Sequence, residues 1–414
     1  MLRTGVAIVG GGFSGVAVAA QLARCADDGV AVTLFEPDPL GRGAAYGTRH
    51  REHLLNTRAA AMSAFDGEPD HFVRWLGSRG APERFVSRQL YGDYLSEIAR
   101  QAFERPQFSH VSDRVRAISE SASGGFVLGT DRGTQFESEL LVLATGTPLP
   151  SDGFLPASLK RHRGYVADPW RFDYRVVGGG VLLAGTGLTA LDALVALDAC
   201  GHRGAVDLVS RHGRFPAVHA EPPVRYDVVP ALDAADARAL VRSFRRQVGA
   251  AAERGFDWRS VVDAVRPESE ALWRRLPRRE RARFDRHVRS HWERVRHRAP
   301  QQVDAVRDRY ARSGRLHVHA GRIVDAGDAY VTVRKAGGSE VRLSPDWIVN
   351  CTGIGRTHTF GLDPAEYAGR MWCTGALLRG ERFESTAVPE LRVIAAEVAA
   401  EVLYALRARV SLTG

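Results

Sequence analysis

The sequence predicts an α/β protein made of two Rossmann-like dinucleotide-binding domains with a helical insertion, and three observations carry that prediction. A strand, a glycine turn, a helix and a second strand follow one another near the N-terminus. The same order returns near the middle of the chain, and each copy closes on an apolar strand running into a Thr-Gly pair. One glycine-rich turn is weak evidence, whereas two inside strand-helix-strand units imply two nucleotide sites.

The first copy reads Val6-Ala7-Ile8-Val9, then Gly10-Gly11-Gly12-Phe13-Ser14-Gly15, then a helical stretch and Val32-Thr33-Leu34-Phe35, ending at Glu36. The second reads Val181-Leu182-Leu183-Ala184, then Gly185-Thr186-Gly187-Leu188-Thr189-Ala190, then a helix and Val206-Asp207-Leu208-Val209, followed by Ser210 and Arg211. Gly10 and Gly185 permit the tight turn, and Gly12 and Gly187 let backbone approach a pyrophosphate. Gly15 and Ala190 keep helix and strand close. The helix N-terminus, with Ser14 in one copy and Thr189 in the other, offers unpaired N–H groups and a positive dipole end to the phosphates.

The ends of the second strands differ. Glu36 is the acidic residue that accepts hydrogen bonds from a ribose, which suits FAD or NAD. Arg211 stands at the equivalent position of the second copy, where a guanidinium would pair with a 2′-phosphate, so NADPH is the expected second ligand. The plainer alternative is a surface arginine after a strand.

A fainter repeat follows each motif. Residues 107–147 read as a short strand, a hairpin-like region and Leu140-Leu141-Val142-Leu143, closing on Ala144-Thr145-Gly146. Residues 315–353 do the same with Trp347-Ile348-Val349-Asn350 and Cys351-Thr352-Gly353. Such turns let backbone lie close to a ligand, which makes Thr145 and Gly146 candidate contacts. The simplest assembly is a discontinuous first domain, residues 1–155 and 345–414, with a second domain, 156–344, between them. Pro148, Pro150, Gly153 and Pro156 mark one crossing.

The second domain carries a helical insertion at 225–312. Phe284, Val288, Trp292 and Val295 recur at helical spacing and are expected to face a core. Arg281, Arg283, Arg286, Arg289 and Arg296 are expected mostly on other faces, as a solvated basic surface or an anion-attracting wall. His287 and His291 stand at i and i+4, but Val288 occupies the place where the HExxH pattern needs its glutamate, so no metal site is predicted.

Composition bounds the rest. At 414 residues the chain exceeds one ordinary core. Cys25, Cys200, Cys351 and Cys373 form no CxxC or similar pair, so a disulfide framework or zinc site is not expected and a reducing cytoplasm is. The first strand begins by Val6, so a signal peptide is not expected. The apolar stretch from Gly5 to Ala23 fits the nucleotide motif better than a membrane span. The net charge is +9, yet Lys160 and Lys335 are the only lysines. An arginine bias of that kind, beside abundant alanine and glycine, follows codon preference, so nucleic acid is not an expected partner.

With both motifs in place, the chain resembles the two-dinucleotide flavoproteins. Within them it resembles a bacterial FAD/NAD(P)-binding family that includes urate hydroxylase-like and aspartate N-hydroxylase-like flavin monooxygenases. The resemblance rests on Gly41-Arg42-Gly43-Ala44-Ala45-Tyr46-Gly47, on His53-Leu54-Leu55-Asn56 with Met62-Ser63-Ala64-Phe65, and on Arg88-Gln89-Leu90-Tyr91-Gly92-Asp93-Tyr94-Leu95. Further matches are Asp168-Pro169-Trp170, the run from Trp292 to Pro300, and the run from Glu384 to Arg392. It implies FAD in the first site, with Tyr46 to Met62 along the cofactor, Asn56 near the isoalloxazine ring as the candidate catalytic residue, and Val115 at the adenine. It also implies that the stretch from Thr386 begins a last helix pointing at the flavin pyrimidine. One departure stands out, since many relatives end their flavin site with Gly-Asp, whereas Gly375 is followed by Ala376.

The expected function is an NADPH-dependent FAD monooxygenase acting with molecular oxygen on a small polar substrate, a purine such as urate or an amino-acid amine. Two alternatives remain open: an NAD(P)H-dependent flavin or disulfide reductase, which the absent cysteine pair disfavours, and a non-enzymatic redox-sensing flavoprotein.

Overall fold

The apolar runs that open each nucleotide motif become central strands of two separate parallel-rich sheets. In the computed structural model the described residues are 2–27, 29–151, 153–223, 225–226 and 232–413. Residues 227–231 of the expected helical insertion lie outside them. The chain divides into two compact units, one of Met1–Arg51, Thr57–Pro148 and Arg356–Gly414, the other of Glu52–Asn56 and Leu149–Gly355.

In the first unit, β1 (Leu2–Val9) pairs in parallel with β2 (Val32–Phe35), which pairs with β3 (Phe108–Val111). Between β1 and β2 runs α1 (Phe13–Cys25), and α2 (Arg88–Ala102) precedes β3. The hairpin β4 (Val115–Glu120) and β5 (Phe126–Thr130) leads into β6 (Gln135–Leu143). The two halves of β6 have different partners. Gln135–Ser138 pairs antiparallel with β5, and Leu141–Leu143 pairs in parallel with the short strand Met371–Cys373. Leu140–Leu143 is wholly buried, as a strand covered on both faces must be, and this explains its uninterrupted apolar run. The C-terminal helix Val388–Thr413 packs on α1.

In the second unit, β7 (Tyr165–Val166), β8 (Val181–Ala184) and β9 (Val206–Ser210) are parallel strands, with α3 (Leu188–Ala199) between β8 and β9. The insertion supplies α4 (Ala237–Glu253), α5 (Trp258–Val265), α6 (Ser269–Arg275), α7 (Arg278–His287) and α8 (Arg289–Arg296), then α9 (Gln301–Arg312) against α3. Asp236 and Asp257 cap α4 and α5, accepting from Ala239 N (2.7 Å) and Arg259 N (2.8 Å). The sheet is completed by β10 (Leu316–Ala326), β11 (Val331–Lys335), β12 (Glu340–Leu343) and β13 (Trp347–Asn350). The short strand and first hairpin strand of the repeat, separate in the first unit as β3 and β4, are fused here into the 11-residue β10. Its first half pairs in parallel with β9 and its second half antiparallel with β11.

Three sequence expectations shift. The crossings fall at Pro148/Leu149 and Gly355/Arg356 where 155 and 345 were expected, because β13 lies between β8 and β7 and so belongs to the second sheet. The helical pattern across 284–295 belongs to two helices that meet at Val288. Phe284 is buried there, while Val288, Trp292 and Val295 are half-buried. Arg296, expected on a solvated face, is only 9% exposed. It ends α8 where the chain turns into the buried stretch Arg298–Pro300. Among the described residues no helix is long and apolar enough to cross a membrane.

Candidate functional site

The first glycine turn is shaped by close backbone approaches. Gly10 sits at φ +107°, and a Cβ there would fall 2.2 Å from Ala144 O, where β1 and β6 end side by side. A Cβ on Gly15 would fall 1.9 Å from Gly10 O, which is the physical reason this position of the first copy is glycine. Gly12 differs, because a Cβ there would meet only Gly43 Cα at 3.7 Å. Gly12 is the N-cap of α1 without a side-chain cap, so the first N–H groups of the helix remain available to a phosphate.

Around this turn the chain builds a second layer. Gly41 N donates to Gly11 O (2.8 Å), bringing Gly41-Arg42-Gly43 over the first turn. Arg42 is anchored to α2 by Asp93 Oδ1 (2.6 Å) and Gln89 O (3.1 Å). Glu36 accepts from Gly11 N (2.8 Å) and Asp38 N (3.1 Å), which holds its carboxylate at the turn with lone pairs to spare for a ribose.

Sequence reasoning missed Thr374 here. It is fully buried, its N–H donates to Leu143 O (3.0 Å), and its Oγ1 has no hydrogen-bond partner. The next residue, Gly375, has φ +69°, and a Cβ on it would come 3.1 Å from Ser14 Oγ. A buried hydroxyl without an acceptor is costly unless a ligand or water meets it. Together with the open face at Gly12 and the uncapped helix, it fits a bound dinucleotide. The available signal was a further apolar stretch running into a Thr-Gly pair, Met371 to Gly375, like those that end at Thr145-Gly146 and Thr352-Gly353.

The other first-unit candidates are more dispersed. Thr145 and Gly146 are exposed at the end of β6, and Gly146 has open space where a Cβ would lie. Met62 is 3% exposed and its carbonyl accepts from Tyr91 Oη (2.9 Å). Val115 is packed in the core beside Phe35 and Phe136. Thr386 is exposed, donates its N–H (3.2 Å) and hydroxyl (3.0 Å) to Glu384 Oε1, and precedes the last helix by two residues.

Asn56 lies in the second unit, whereas the expected boundary placed it in the first. Hydrogen bonds explain this. His219 Nε2 donates to Asn56 O (3.0 Å), and His53 Nε2 donates to Asp192 O (2.9 Å) on α3.

The second glycine turn repeats the logic of the first. Gly185 has φ +137° with a Cβ position 2.3 Å from Cys351 O, Gly187 caps α3 with open space around it, and Thr189 is half-buried in the first turn. Thr186 Oγ1 donates to Arg214 O (2.8 Å) and shares a hydrogen bond with Ser210 Oγ (2.8 Å), tying the turn to the end of β9. Arg211 follows, exposed and with no ion pair or side-chain hydrogen bond among the described residues. Its guanidinium is free to read a phosphate. His287 and His291 are both exposed.

Residues 7–148 match the family described as FAD-NAD(P)-binding. The first unit therefore contains a domain similar to that family over its glycine turn and sheet. Among solved structures, the chain is similar to ornithine hydroxylase from Pseudomonas aeruginosa, with TM-score 0.68 and 17% identity over 98% of this chain and 100% of that one. It is similar to an FAD-bound cadaverine monooxygenase of desferrioxamine biosynthesis from Erwinia amylovora, with TM-score 0.64 and 14% identity over 98% and 94%. It is also similar to bacillithiol disulfide reductase from Bacillus cereus, with TM-score 0.57 and 14% identity over 97% and 99%. These likenesses show the fold, two Rossmann-like dinucleotide-binding domains. No curated protein matches the chain.

Proposed function

We propose that the chain is an NADPH-dependent FAD monooxygenase that hydroxylates a small polar substrate. The observation that carries this reading is the contrast between the two strand ends: a carboxylate held at the first glycine turn by Gly11 and an exposed, unpaired guanidinium at the second. In this reading the α1 N-terminus from Gly12 to Ser14 holds the FAD pyrophosphate, Glu36 the ribose, and Thr374 Oγ1 a further polar atom of the cofactor. Met62, Val115, Thr145, Gly146 and Thr386 are further candidate contacts. Gly185, Gly187 and Thr189 hold the second pyrophosphate, and Arg211 pairs with the 2′-phosphate. Bound FAD would supply the redox chemistry, passing electrons from NADPH to oxygen.

The purine and the amine both remain candidates. The ornithine and cadaverine enzymes with this fold are named for amines, which favours the amine. A dithiol reductase would need two nearby reactive sulfurs. Burial pushes the Cys351 thiol far up and the Cys373 thiol up to about 11, so neither is a thiolate at neutral pH.

The test follows NADPH oxidation and oxygen uptake together across purines and amines. With the true substrate the two are consumed one for one, and labelled oxygen gas appears in the product. Product formed at full rate without oxygen, or carrying oxygen only from water, replaces this reading with a reductase or another oxidoreductase.

A further inference from the structure

The second unit contains a cavity of about 600 Å³ that no step above uses. Four guanidiniums line it, from Arg214 after β9, Arg259 at the start of α5, Arg294 on α8 and Arg307 on α9, with Phe215 and Trp258 among the apolar residues. Among the described residues no acidic side chain lines it.

The frame is held by backbone. Ala217 N donates to Arg294 O (2.9 Å), and Ala299 N donates to Ala217 O (2.8 Å). Two of the arginines are fixed from behind. Arg259 is paired to Asp257 (3.0 Å) and donates to Val218 O (2.7 Å), and Arg307 is paired to Asp304 (3.0 Å) and Asp308 (2.7 Å). The other two have no carboxylate partner among the described residues. Arg294 donates only its Nε to Phe215 O (3.0 Å), and Arg214 is exposed. Positive charge gathered on one wall repels itself until an anion enters. Arg307 Nε is buried with no hydrogen-bond partner, so the wall also lacks an acceptor.

The aromatic residues define the rest of the ligand. The Arg259 guanidinium lies over the Trp258 ring at 4.5 Å and that of Arg307 over the Phe215 ring at 5.3 Å. Planar cations on aromatic faces form a surface on which a flat ring stacks, while unpaired guanidinium N–H groups take its carboxylate in bidentate fashion. The volume suits a small organic molecule.

We propose that this cavity is a binding site for an aromatic carboxylate, separate from both nucleotide sites. The probe is 4-nitrobenzoate, measured by equilibrium dialysis against the full chain, with 4-nitrobenzamide and inorganic phosphate as controls. Saturable binding is expected at least tenfold tighter than that of the amide or of phosphate. Arg294→Ala and Arg214→Ala, both at exposed side chains, each lower it about tenfold or more, and saturating NADP⁺ leaves it unchanged. Absence of saturable binding, equal binding of the amide, equal binding of phosphate, or indifference to both substitutions overturns the proposal. Displacement by NADP⁺ overturns it too, since the cavity would then belong to the dinucleotide site.

Discussion

Gly12 and Gly15, three positions apart, give opposite meanings to the same substitution. At Gly15 a methyl would fall 1.9 Å from Gly10 O, so Gly15→Ala must push helix and strand apart. Overpacking of this kind costs about 1–3 kcal/mol and lowers Tm by a few degrees. At Gly12 the methyl meets an ordinary contact, so Gly12→Ala is expected to melt like the flavin-free parent chain and to purify without flavin, its methyl occupying phosphate space. Melting curves beside the FAD content of each variant check both outcomes, and a yellow Gly12→Ala protein would remove the pyrophosphate site from this turn. Arg211 supplies a second test. A charge-assisted contact contributes about 1.5–3 kcal/mol, so Arg211→Ala should weaken NADPH by roughly one to two powers of ten and leave NADH nearly unchanged. Equal losses for both nucleotides would show that Arg211 does not read the phosphate.

Between elements, two histidines make the fold sensitive to acid. Tyr94 Oη on α2 accepts from Ala64 N (3.1 Å) and is hydrogen-bonded to His71 Nδ1 (2.8 Å). His162 Nδ1 accepts from Gly164 N (3.1 Å). Burial holds both imidazoles below the usual 6.5. A folded pKa below the unfolded one means the contribution is complete above pH 6.5 and is lost as pH falls from there towards the folded pKa. Tm should therefore drop in mildly acidic buffer, and His71→Gln with His162→Gln should flatten that drop. An unchanged acid slope in the double variant would assign it to other groups. Elements of this kind were unevenly legible. Parallel strands such as Val32–Phe35 announced themselves as apolar runs because both faces are covered. The break between α7 and α8 at Val288 did not, because apolar spacing continues through it while the backbone turn depends on what the helices pack against.

At the scale of the whole chain, the second unit enters and leaves through paired backbone. Pro150 and Ile354 form an antiparallel bridge, and Ser151 N donates to Gly353 O (3.2 Å). Because these ends lie side by side, replacing residues 149–355 with a short Gly/Ser linker should leave a first unit that melts cooperatively and binds FAD. An aggregated or flavin-free product would show that the first unit does not fold alone. What the sequence determined by itself was local: strand, turn and helix follow one another along the chain, and Glu36 and Arg211 each end a strand, so periodicity and motif sufficed. What only tertiary structure decided was everything that depends on distant segments meeting. Thr374 reaches the first glycine turn across more than half the chain, as its backbone bond to Leu143 O records. Asn56 joins the second unit through His219, and the arginines from β9, α5, α8 and α9 surround one cavity. Spacing along a sequence carries no record of which remote backbone a side chain will face, because that choice is made by the packing of whole elements.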